Sequence, residues 1–90
     1  MSGVYIGIDV SKDRLDVAAV PSGGRWEYAN DALGFARLLV ELRKLAPELI
    51  VMEPTGGFEA PLAAALAAED LPVAVVNARQ IRDYARAKIG

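Results

Sequence analysis

Val4-Tyr5-Ile6-Gly7-Ile8-Asp9-Val10 runs apolar and alternating up to one acid, and Ser11-Lys12-Asp13 interrupts it with turn residues. Beyond the interruption, Leu15, Val17 and Ala19 fall on one face of a second extended run, Leu15 to Val20. The break is too short for a crossover helix, so the two runs are predicted to pair as an antiparallel hairpin. Pro21-Ser22-Gly23-Gly24 is a strong turn, and Arg25 to Ala29 makes a short third strand with Trp26 and Tyr28 on one face. The chain therefore opens with a three-stranded meander.

Helical periodicity starts after the meander. Asn30 or Asp31 is placed to cap a helix, and Phe35, Leu38, Leu39, Leu42 and Leu45 form its apolar stripe. Arg37, Glu41 and Lys44 are expected on the other side, within reach of one another as ion pairs. Pro47 stops this helix. Leu49 to Met52 is an unbroken apolar run between Glu48 and Glu53, the pattern of a strand covered on both faces. Pro54-Thr55-Gly56-Gly57 reads as a loop, and Phe58 to Glu69 as an Ala-rich helix with Pro61 tolerated in its first turn. Leu71 to Val76 is a fifth strand, with Pro72 fitting only at its start. Asn77 is placed to cap a last helix, Ala78 to Lys88.

The order βββαβαβα places a helix before each of strands four and five. Right-handed crossovers then set both parallel to strand one. The expected fold is α/β and ribonuclease-H-like: a five-stranded mixed sheet of order 3-2-1-4-5, strand 2 antiparallel to the rest, with helices on both faces.

Composition narrows the chemistry. With 90 residues the chain makes one small domain, and 53% apolar with 24% charged residues is a folding composition. The formal net charge of −2 means that any nucleic-acid contact needs a local basic face. There is no Cys and no His, which excludes disulfides, Cys/His zinc sites, Cys nucleophiles and His bases within these residues. No signal peptide and no membrane span are expected, and a cytoplasmic location is the default.

Asp9 and Glu53 each end an apolar strand where a loop begins. If strands one and four are parallel neighbours, the two carboxylates converge beyond the carboxyl ends of the strands, where open α/β sheets place their sites. Carboxylates that close repel unless a proton or cation lies between them. Hard oxygen donors with no His or Cys favour Mg²⁺ or Mn²⁺. The plainer reading is that acids often end strands because they tolerate turns.

Three motifs carry a resemblance. Tyr5-Ile6-Gly7-Ile8-Asp9-Val10-Ser11-Lys12, Met52-Glu53-Pro54-Thr55-Gly56-Gly57 and Val75 to Lys88 resemble, in order and spacing, the N-terminal domain of the DEDD-type insertion-sequence transposases, itself similar to a Holliday-junction resolvase. The resemblance implies four metal-binding acids. By motif Asp9 is the first and Glu53 the second; two Asp beyond Gly90 and a C-terminal domain with a catalytic Ser would complete the protein. It implies DNA as substrate, metal-dependent phosphodiester cleavage and strand transfer, a guide RNA as partner, and a homo-oligomer for the full-length protein. Residues 1–90 are expected to be one N-terminal domain of that longer protein. Alone it should bind Mg²⁺ weakly or not at all and should not cut DNA.

Other residues admit two readings each. Arg79, Arg82 and Arg86 share a helix face, with Lys88 nearby, and could hold phosphates or simply suit a helix C-terminus. Lys12 could neutralise a phosphate or be a hairpin-turn residue. Thr55-Gly56-Gly57 could offer N–H groups to an anion or be a tight turn with Thr55 as N-cap. Trp26 and Tyr28 could stack on bases or cover the sheet. Asp13 and Asp16 are read as exposed. A genuine resolvase is a close alternative to the transposase, and two rival functions stand further off. One is an actin-like or sugar-kinase ATP-binding lobe, which would need a Gly-rich turn where Val10-Ser11-Lys12-Asp13 has none. The other is a non-catalytic assembly module of the same fold.

Overall fold

The alternation of Ile6, Ile8 and Val10 against Tyr5, Gly7 and Asp9 organises the whole sheet, because only one of the two sets can face a core. A computed structural model describes residues 3–76 of the chain. It contains β1 (Tyr5–Val10), β2 (Arg14–Val20), β3 (Arg25–Ala29), α1 (Ala32–Leu45), β4 (Leu49–Met52), α2 (Ala60–Ala68) and β5 (Val73–Val75). The five strands form one sheet in the order β3-β2-β1-β4-β5. β2 is antiparallel to β1 and β3, while β1, β4 and β5 run parallel. This is the expected ribonuclease-H-like order. The helix expected over Ala78–Lys88, with Asn77, Arg79, Arg82 and Arg86, lies outside the described residues.

One face of the sheet is packed. Ile6, Ile8 and Val10 pair in register with Ala19, Val17 and Leu15, and Ile6 and Ile8 with Ile50 and Met52. These side chains share one buried cluster with Leu38 and Leu42 of α1 and Leu62 and Leu66 of α2. Both described helices therefore cover the same face. Each fully buried Leu contributes about 1.5–3 kcal/mol by leaving water. Trp26 and Tyr28 pack against this cluster, so they cover the sheet. The opposite face carries exposed Tyr5 and Val20. A Cβ built on Gly7 would meet nothing within 4 Å there. Among the described residues that face is open.

Local signals explain the element ends. Asp31 is the N-cap of α1, its carboxylate accepting the Gly34 N–H at 2.8 Å. Gly34 is required by packing, since a Cβ there would lie 1.8 Å from the Ala29 carbonyl oxygen. The helix ends at Ala46, which takes the left-handed conformation (φ 47°) before the buried Pro47. α2 starts at Ala60, later than Phe58, because Gly56 (φ 74°) and Gly57 (φ 109°) hold the chain in a turn first. β5 is shorter than the run from Leu71 to Val76. Pro72 has no N–H to donate, though its carbonyl accepts from Ile50 at 2.7 Å.

One expectation is corrected. Arg37, Glu41 and Lys44 do not pair with one another; among the described residues the ion pairs are Arg14–Asp16, Arg14–Glu27 and Arg43–Glu69. Glu41 is half-buried, not on the solvent side. Burial of Tyr28, and then the charge of Glu41, raise the Tyr28 phenol above its ordinary pKa. Arg43 instead ties α1 to the end of α2.

Candidate functional site

Asp9 lies between buried Ile8 and Val10, so strand alternation turns it to the open face. The β1–β4 ladder ends at the pair Ile8 and Met52, and one further step sets Asp9 beside Glu53. Neighbouring strands lie about 4.8 Å apart. The two acids therefore stand at the same end of neighbouring strands, Asp9 within β1 and Glu53 just past β4. Both are exposed, and both border one groove of ≈ 860 Å³ along the open face.

Two further acids border the same groove. Asp16 is the direct cross-strand partner of Asp9, and Glu27 is the partner of Asp16. Asp16 was expected to be exposed but is half-buried. The signal was available: Leu15 and Val17 face inward, so Asp16 must face the way Asp9 does. Both extra acids are engaged by Arg14. Its Nε lies 3.1 Å from an Asp16 carboxylate oxygen, and its Nη1 lies 3.7 Å from Glu27. That leaves Asp9 and Glu53 as the pair without an ion-pair partner among the described residues. The donor set suits a hard divalent cation in kind. In number it is a half-site, because no group of three or more acids among the described residues is arranged to hold an ion.

Lys12 sits in the exposed hairpin turn, where the Ser11 N–H donates to the Arg14 carbonyl at 2.9 Å. It borders a second recess with Ser11, Asp13 and Tyr28, not the groove of Asp9. Arg79, Arg82 and Arg86 lie outside the described residues.

The loop after Glu53 differs from both of its readings. Thr55 does not cap α2; the cap position is Glu59. The Glu59 Oε1 accepts from the Thr55 N–H at 2.9 Å, the Thr55 hydroxyl at 3.0 Å and the Gly57 N–H at 3.2 Å. Two of the N–H groups read as open to an outside anion, those of Thr55 and Gly57, are thus filled by an internal carboxylate. These bonds, led by the one from Thr55 N–H, lower the Glu59 pKa below its ordinary value. Asn30 braces the same region. Its side-chain N–H₂ donates to the Ser11 carbonyl at 2.8 Å and to the Phe58 carbonyl at 3.5 Å.

A family model described as a transposase, the DEDD transposase domain of the IS110 type, matches residues 6–90. The chain belongs to that transposase family. The match takes in the hairpin with Asp9, the β4 end with Glu53, and the segment beyond β5. The membership makes transposition the process in which this transposase domain acts. No curated protein matches the chain. No described helix is long and apolar enough to cross a membrane.

Proposed function

We propose that the open face of the sheet is the catalytic face of the transposase, with Asp9 and Glu53 as two of its metal-binding acids. The observation that carries this reading is their common placement: the same end of neighbouring parallel strands β1 and β4, one groove, and no ion-pair partner for either among the described residues. A bound Mg²⁺ or Mn²⁺ would neutralise phosphodiester oxygens and lower the pKa of an attacking water, chemistry that needs no His base. Asp9 and Glu53 would hold and orient that ion. Gly7, with open space above it among the described residues, would leave room for a DNA backbone to approach the sheet.

Two carboxylates make a weak site by themselves. The remaining ligands are proposed to come from sequence beyond this chain, with residues 1–90 serving as the N-terminal domain of a longer transposase that cuts and rejoins DNA. Phosphate contacts are proposed for Lys12, Arg79, Arg82 and Arg86. A guide RNA and a homo-oligomer are proposed from the family resemblance, and a cytoplasmic setting as the default.

The test is Mg²⁺-dependent nicking of DNA by the complete transposase carrying Asp9→Asn or Glu53→Gln. Each variant should lose about a hundredfold to a thousandfold in rate, the scale of removing a main source of charge stabilisation. Nicking within about tenfold of the parent, in both variants, would remove Asp9 and Glu53 from the chemistry.

A further inference from the structure

Glu53 lies just past β4, at the head of a loop that contains two glycines at positive φ. Such a loop has wide conformational freedom unless something ties it. The tie is Glu59. Its carboxylate gathers the Thr55 N–H, the Thr55 hydroxyl and the Gly57 N–H onto one oxygen. Although Glu59 occupies the N-cap position of α2, its side chain makes no capping bond to that helix. It reaches backward into the loop, toward the segment that bears Glu53. The far end of the loop is held separately, through Phe58 and Asn30 to Ser11, two residues beyond Asp9. Hydrogen bonds therefore join the segments that follow the two acids.

We propose that Glu59 is a positioning residue for Glu53: by clamping Thr55 and Gly57 it sets where the Glu53 carboxylate stands relative to Asp9. This rests on the reading of Asp9 and Glu53 as a metal-binding pair. The physical reason is that β4 and its bond from Val76 N–H to the Met52 carbonyl hold the chain only up to Met52, while Glu53 itself is exposed and its position depends on the loop that follows. Removing Glu59 would leave the loop to its glycines and spread Glu53 over many positions. A pair that must meet around one ion would then lose affinity by about tenfold or more, as ligands do when their outer support is lost.

The test uses the 90-residue chain, ¹⁵N-labelled, titrated with Mn²⁺ into the millimolar range while amide broadening is followed by NMR. In the parent chain, broadening should centre on the amides around Asp9 and Glu53. Glu59→Ala should weaken it by about tenfold and abolish the exchange protection of the Thr55 and Gly57 amides, with the β1, β2 and β4 amides unmoved. Glu59→Gln keeps an acceptor oxygen and should recover most of both signals. Acetate added to Glu59→Ala should return the Thr55 and Gly57 shifts toward their parent positions, which a general loss of stability would not do. Parent-like broadening in Glu59→Ala would overturn the positioning role and leave the metal pair standing. No broadening near Asp9 and Glu53 in the parent would move the same titration to the complete transposase, where its absence would overturn the pair, and this inference with it. If Glu59→Ala does not fold, Glu59→Gln carries the comparison. Failure of both variants to fold would make Glu59 a purely structural residue and end the proposal.

Discussion

Asp9 on β1 stands directly opposite Asp16 on β2, two like charges in register across neighbouring antiparallel strands. Such pairs oppose folding by about 0.2–1 kcal/mol. Arg14 relieves the strain from one side only, through Asp16. Nothing among the described ion pairs relieves Asp9. Asp9 is a residue that the fold tolerates more than it needs.

That asymmetry yields the first prediction. Asp9→Asn should leave the domain as stable as the parent or stabilise it by up to about 1 kcal/mol, read as the midpoint of urea unfolding. The same substitution should remove Mn²⁺ broadening at Glu53. A loss of more than about 1 kcal/mol would show instead that Asp9 serves the fold.

Gly34 is the opposite case. The Ala29 carbonyl oxygen lies 1.8 Å from where a Cβ would be, and it belongs to backbone that cannot rotate away. Gly34→Ala should therefore force α1 off β3 and destabilise by about 3 kcal/mol, the upper end for overpacking, despite alanine's better helix propensity. Thermal melting of the variant would show it, and an unchanged melting temperature would contradict the close approach.

Ala46 ends α1 at φ 47°, a conformation that a side chain disfavours by about 1–2 kcal/mol. Ala46→Gly should raise stability by roughly 0.5–1 kcal/mol once the extra freedom of the unfolded glycine is subtracted. Denaturant unfolding with an unchanged slope would verify the sign.

Acid should loosen the Glu59 clamp before it unfolds the core. The folded-state pKa of Glu59 lies below its ordinary value of 4.5, because donors from Thr55 and Gly57 favour the charged form. Its contribution is therefore fully present above that ordinary value. It disappears as pH falls through the lowered one. Amide exchange at Thr55 and Gly57, followed from pH 6 down to about pH 3, should lose protection while Ile8 and Ile50 keep theirs. Glu59→Gln should flatten the profile at those two amides. Simultaneous loss at all four sites would tie the transition to global unfolding.

Much of the fold could be read directly. The β3 run Arg25–Ala29, the β4 run Leu49–Met52 and the stripe of Leu38 and Leu42 follow from period and punctuation. These signals are local and strong. The strand order followed as well, because a short turn after Val10 demands a hairpin and helical crossovers demand parallel pairing. The placement of Asp9 and Glu53 at one end of the neighbouring strands β1 and β4 followed from that order.

What the residues alone determined was which side chains alternate inward and where the chain must turn. Those depend on neighbours in sequence. Only the tertiary structure decided that Arg14 engages both Asp16 and Glu27, that Glu41 is half-buried with its charge acting on Tyr28, and that Glu59 fills the turn after Glu53. Each is a contact between a flexible side chain and a partner set by strand register or loop path. Several rotamers compete for such a contact until packing selects one, and no short-range pattern records that choice.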